Sequence, residues 1–121
     1  MHRSRLSSVI IDCQTNDLDR AAEFWAKALN RRASKPADPA DQNYRELETP
    51  PGEVMVAVQQ VSHQSRVHID IEADDVEAEV ARLEKLGAKR IQFIKRWWVM
   101  EAPTGQRFCV VRAKPASAAS S

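Results

Sequence analysis

Cysteine is scarce: Cys13 and Cys109 are the only two in 121 residues. They are too few for a disulfide framework and do not have a zinc-site spacing. Both fall in strand-like runs, so the expectation is two reduced, buried thiols in a cytoplasmic protein. An excess of one charge is also lacking. Lys and Arg number 18 and Asp and Glu 17, for a formal net charge of +1. That supplies no field for nucleic acid or for an anionic membrane surface. Apolar runs are short, none approaching the ~20 residues of a membrane-spanning helix. No signal peptide is expected from the opening residues. What is present is the makeup of one soluble domain, long enough to bury a core without metal or disulfide staples.

The clearest local signal is VHIDIEADDVEAEVARLEKLGAK, residues 67–89. It reads as a strand, a cap, an amphipathic helix and a glycine stop. Asp74 with Glu77 three residues on resembles a capping box. Val76, Val80, Leu83 and Leu86 form the buried stripe, and Gly87 ends the helix. Strands follow at 90–95, 97–101 and 107–112, with Pro103-Thr104-Gly105 as a turn. The N-terminal half has the same order: a strand at 8–14, a helix at 17–29 stopped by Asn30, then strands at 31–35, 44–49 and 53–61. Pro50-Pro51-Gly52 is its turn, and the Pro-rich loop 36–43 is a candidate lid. Residues 62–66 join the halves, with His63 solvated. Residues 1–7 and the Ala/Ser-rich tail 114–121 are expected to be flexible.

The halves align. Ile10-Ile11-Asp12 lies over His68-Ile69-Asp70, and Glu48-x-Pro50-x-Gly52 over Glu101-x-Pro103-x-Gly105. Shared element order with matched turns indicates a duplicated βαβββ unit. The expected fold is α+β: two tandem modules, 8–61 and 67–113, forming a cup-shaped, mostly antiparallel sheet with helices on the outer face. Alternation then divides the faces. Val9, Ile11 and Cys13, Met55 and Ala57, Ile69 and Ile71, and Phe108 and Val110 should meet the helices. Ile10, Asp12, His68, Asp70, Val54, Val56, Arg107 and Cys109 should line the cup. So many polar residues on one face suit a partly wet cavity better than a dry core.

From Ile10 to Arg112 the chain resembles the vicinal oxygen chelate superfamily, in particular its glyoxalase-like and bleomycin-resistance-like members. The resemblance rests on His68 and Ile10, each seven positions before a helix-opening Asp (Asp75, Asp17), and on the closing turn 103–105 before the last strand. It implies a cup for a small molecule, often a homodimer, and in many members a divalent metal held at four positions. Those positions correspond to Ile10, His68, Val56 and Cys109, the last two lying four residues after each turn glycine. Only His68 has the usual ligand type. The expectation is therefore no metal, with His68 and Cys109 as its ligands if one is held. A typical glyoxalase I is not expected.

For acid–base chemistry the candidates are His68, whose imidazole titrates near ~6.5 when unperturbed, and Asp12 and Asp70 to orient it. Each has a plainer role as a satisfied polar group. Candidate ligand contacts are Arg107, a fork for an anion, Cys109, Val56, Ile10, and whichever of Trp97 and Trp98 faces the cup. Three functions fit: a glyoxalase-like protein acting on a small polar or aromatic metabolite, a non-catalytic ligand-sequestering protein, and a metal-dependent lyase or dioxygenase with atypical ligands.

Overall fold

A short side-chain acceptor begins each helix and a left-handed residue ends it. Helix α1, Leu18–Leu29, is capped by Asp17, whose carboxylate accepts from Arg20 N at 3.1 Å. Asn30 closes it at φ 56°, ψ 47°. Helix α2, Val76–Lys85, is capped by Asp75, which accepts from Ala78 N at 3.0 Å, and Gly87 follows at φ +108°. The glycine is needed twice over there: a Cβ would lie 3.0 Å from Pro103 Cγ. The expected capping box is one residue out of place. Asp74 instead accepts from Arg3 N at 2.9 Å, and Glu77 bonds Trp98.

Residues 1–113 are described in this computed structural model, so the tail expected at 114–121 lies outside them. The strands are β1 Ser4–Gln14, β2 Ala33–Ser34, β3 Tyr44–Leu47, β4 Met55–Val61, β5 Arg66–Ala73, β6 Lys89–Ile94, β7 Trp97–Glu101 and β8 Arg107–Arg112, with a short 3-10 turn at Pro39–Asp41. The chain divides into two compact units, Ser8–His68 and Met1–Ser7 with the chain from Ile69. Each is a βαβββ module, so the α+β duplication is present.

In the first module the strand order is β2-β3-β4-β1. The β1–β4 pair is parallel and the other two are antiparallel. Ile11, Leu18, Ala26, Leu47, Val56 and Val58 form its core under α1, with Val9, Cys13 and Trp25 packed against them. The face expected for β4 is thereby reversed. Parallel pairing sets Val9 beside Val56 and Ile11 beside Val58, so Val56 is buried on the helix side and not on the opposite face. Periodicity alone could not choose, because Met55–Val58 is apolar throughout.

In the second module the order is β5-β8-β7-β6, again with one parallel pair, β5–β8. Val80, Leu83, Met100, Phe108 and Val110 form its core, with Ile71 and Trp98 alongside. Ile69, expected under the helix, is 42% exposed. The leader expected to be flexible enters β1 at Ser4 and is tied to this module. Asp74 N donates to Arg3 O at 3.1 Å, Arg5 Nε to Glu72 Oε1 at 2.8 Å, and His2 Nε2 lies 2.7 Å from Glu79 Oε1. A buried carboxylate on α2 holds the chain start, which no periodicity in 1–7 signals.

Candidate functional site

The face of the first module away from α1 carries Ile10 and Asp12 from β1, Ala57 and Gln59 from β4, and Tyr44 and Glu46 from β3, all matched across the ladder. Asp12 is only 2% exposed. Its Oδ2 lies 2.7 Å from His68 Nδ1 and 3.8 Å from Arg66 Nε. Its Oδ1 is buried with no hydrogen-bond partner. An ionised carboxylate only accepts, so with Asp12 ionised the proton of this bond sits on Nδ1 of His68. A carboxylate behind an imidazole is the arrangement that fixes tautomer and ring orientation in many proton-transfer sites. Beside it, Gln59 Nε2 donates to the Tyr44 hydroxyl at 2.9 Å.

In the second module Asp70 is paired with Cys109 across β5–β8, and their donor atoms lie within 4.8 Å of each other. His68 precedes Asp70 by two on the same strand, so alternation gives them one face. Arg107 is already engaged, its Nε donating to Glu101 Oε1 at 3.2 Å. The two tryptophans separate cleanly. Trp98, level with Val110, packs on the helix side and donates from Nε1 to Glu77 Oε2 at 2.7 Å. Arg90 stands over its ring at 4.9 Å. That hydrogen bond, with Arg90 second, holds the Glu77 carboxyl below the usual range. Trp97 alternates with Trp98 and shares a face with Val99, the residue opposite Cys109.

The structure therefore joins Asp12 with His68 and Asp70 with Cys109, and places Val56 and Trp98 on the helix side. Ile10 is on that face but only 4% exposed and has no donor atom. Cys13 lies on the helix side, and burial, with Asp12 second, raises its thiol pKa, which disfavours a thiolate nucleophile. Neither cysteine is bridged. Sequence reasoning missed Gln59, whereas Arg66 does stand near Asp12 as its residue type allows. Asp12 pairs with Gln59 as Asp70 pairs with Cys109, so Gln59, seven residues after its turn glycine and not four, is the counterpart of Cys109. Gln59 is the fifth residue of β4 and Cys109 the third of β8, and the turn-to-strand connection is one residue longer in the first module, so counting from the turn glycine conceals the match.

These observations define a glyoxalase-like protein of the vicinal oxygen chelate superfamily. The glyoxalase-like domain family matches residues 8–111, and the chain belongs to it. Among similar solved structures is methylmalonyl-CoA epimerase from Mycobacterium tuberculosis, at 20% identity and TM-score 0.62, over 94% of this chain and 91% of that one. A Streptomyces coelicolor methylmalonyl-CoA epimerase variant in complex with 2-nitronate-propionyl-CoA matches at 19% identity and TM-score 0.60, over 90% and 96%. An NAD-dependent benzaldehyde dehydrogenase from Legionella pneumophila matches at 8% identity and TM-score 0.64, over 88% and 99%. Identities this low speak to the fold alone. No curated protein matches the sequence.

The superfamily's divalent metal finds a changed donor set here. Ile10 offers nothing and Gln59 only a neutral amide oxygen. What remains within the second module is the carboxylate of Asp70 and the thiol of Cys109. That set does not suit a hard, oxygen-seeking ion and is of the kind zinc accepts.

Proposed function

We propose that this protein binds a small polar or aromatic metabolite on the open sheet face and moves a proton on it with His68, oriented by Asp12. The observation that carries the reading is the 2.7 Å bond from His68 Nδ1 to a carboxylate that is itself almost wholly buried. The buried carboxylate presets the tautomer and stabilises the imidazolium formed when Nε2 takes a proton. Gln59 and Tyr44 are polar neighbours on the same face of the first module. The similar folds named methylmalonyl-CoA epimerases support this choice of chemistry, because the carbon between two carbonyl groups of methylmalonyl-CoA is a carbon acid. The protein is taken to be cytoplasmic and homodimeric. No helix among the described residues is long and apolar enough to cross a membrane.

The test is solvent exchange. Incubated in D2O with methylmalonyl-CoA as probe, the protein should catalyse loss of the C2 proton signal above the buffer rate. Saturable binding without exchange would favour a ligand-sequestering protein, and neither binding nor exchange of this or other small carbon acids would overturn the reading.

A second reading, a metal-dependent lyase or dioxygenase, is favoured by the closeness of Asp70 and Cys109. Metal analysis of the purified protein decides it. About one equivalent of zinc per chain, lost in Cys109→Ser, would support it; absence of any stoichiometric divalent metal after zinc loading would remove it.

A further inference from the structure

Arg66 opens β5 two residues before His68, so alternation puts the two side chains on one face of the strand. Both reach the same oxygen. Asp12 Oδ2 lies 2.7 Å from His68 Nδ1 and 3.8 Å from Arg66 Nε. A ligand that meets the imidazole therefore lies beside the guanidinium as well. Asp12 and His68 are largely enclosed, whereas the Arg66 side chain is 46% exposed and open to a ligand from solvent. At 3.8 Å its contact with Asp12 is an ion pair without a hydrogen bond. The two NH2 groups of its fork point away from that contact and carry most of its donor hydrogens. Chemistry at His68 calls for such a group. Removing a proton from carbon leaves a negative charge on the substrate, which the ionised Asp12 repels. A fixed cation beside both offsets that repulsion.

We propose that Arg66 is a second catalytic residue, which holds the oxyanion formed when His68 removes a proton; the inference rests on the proton transfer proposed above. The substrate class follows from it. The substrate is a carbon acid with a carbonyl group next to the carbon that loses the proton, so that one molecule spans imidazole and guanidinium. The C–H bond breaks and its proton goes to the His68 imidazole. The electron pair becomes the carbon–carbon π bond of an enolate, and the carbonyl π pair moves to oxygen, to which the Nη–H groups of Arg66 donate. Return of the proton restores the carbon acid. Before the transfer the charges of Asp12 and Arg66 balance. After it the imidazolium faces Asp12 and the enolate faces Arg66. Bonds that strengthen as charge develops raise the maximal rate more than they tighten binding. Arginine also stays protonated throughout, so it does not compete for the proton.

Two readouts separate this role from that of His68. Arg66→Gln should lower the maximal rate of C2-proton exchange in methylmalonyl-CoA by about 10²–10³-fold, the usual cost of losing an oxyanion donor, with the apparent affinity for the probe unchanged. The second readout needs no turnover. Acetylacetone, a 1,3-diketone, is followed by the ultraviolet absorption of its enolate at mildly alkaline pH. The wild type and His68→Ala should both bind the enolate saturably, and Arg66→Gln should bind it about tenfold more weakly or worse. Arg66→Lys keeps the charge without the fork. It should lose less than Arg66→Gln in both readouts, and it carries the test if Arg66→Gln does not fold. Enolate binding by the wild type without exchange of methylmalonyl-CoA would overturn proton transfer by His68 while supporting Arg66 as the oxyanion site. No enolate binding by the wild type, undiminished binding in both Arg66 variants, or a loss of exchange confined to probe affinity would overturn the proposal.

Discussion

Replacing Glu79 with alanine should lower the unfolding free energy by about 3 kcal/mol. The side chain is 0% exposed yet ionised. Arg82 grips it with two bonds, Nε to Oε1 at 2.8 Å and Nη2 to Oε2 at 2.7 Å, and His2 adds a third contact at 2.7 Å. Truncation strands these partners. Arg82 is 49% exposed and can turn to water, which keeps the loss below the top of the range for buried pairs. The same contacts with Arg82, then His2 and Ser4, outweigh burial and depress the Glu79 carboxyl from 4.5 to about 2. A depressed folded-state pKa stabilises the protein above the unfolded value and ceases to do so as pH falls through the folded value. The contribution is therefore complete above about pH 4.5 and disappears towards pH 2. Urea unfolding across that window checks both statements. Glu79→Gln, which keeps the volume, should lose less stability between pH 4.5 and pH 2 than the wild type. Parallel curves for the two proteins would show that Glu79 does not carry this acid sensitivity.

The second large effect is on the proposed proton transfer. His68→Ala should reduce exchange of the methylmalonyl-CoA probe by about 10²–10⁴-fold, the usual contribution of a positioned acid or base. Asp12→Asn should cost about 10–100-fold. The amide oxygen can still accept from Nδ1, but it no longer brings the negative charge that stabilises the imidazolium. Asp12 is a positioning residue, so the loss should fall on the maximal rate with the apparent affinity for the probe unchanged. Nitrogen-15 NMR of the His68 ring should show Nδ1 protonated in the wild type. Exchange that persists in His68→Ala, or a loss in Asp12→Asn confined to affinity, would remove the dyad from the mechanism.

Much of this was legible from local rules. Polar residues before each helix, Asn30 and Gly87 after them, and matched Pro-x-Gly turns mark two copies of one unit, because caps and turns depend only on neighbours in the chain. The polar residues Asp12 and His68 among apolar strands also show where a dry core stops. Other features depend on partners far along the chain. The face of β4 is set by its parallel register with β1, and an unbroken apolar run has no phase of its own. The same register brings in Gln59, with Tyr44 behind it, and removes Val56. Trp97 and Trp98 are equivalent by alternation until β7 pairs with β8 and Trp98 finds Glu77.

The sequence by itself determined the duplicated βαβββ plan, the helix ends and the choice of His68 as the reactive candidate. The tertiary structure alone decided three things: that Asp12 is the carboxylate behind His68, that Glu79 anchors the chain start, and that Arg66 shares the Asp12 carboxylate with His68. The physical reason is common to all three. A side chain's chemistry is written in its residue type, but its protonation, tautomer and unmet hydrogen bonds are set by groups up to 77 positions away, and only folding brings those together.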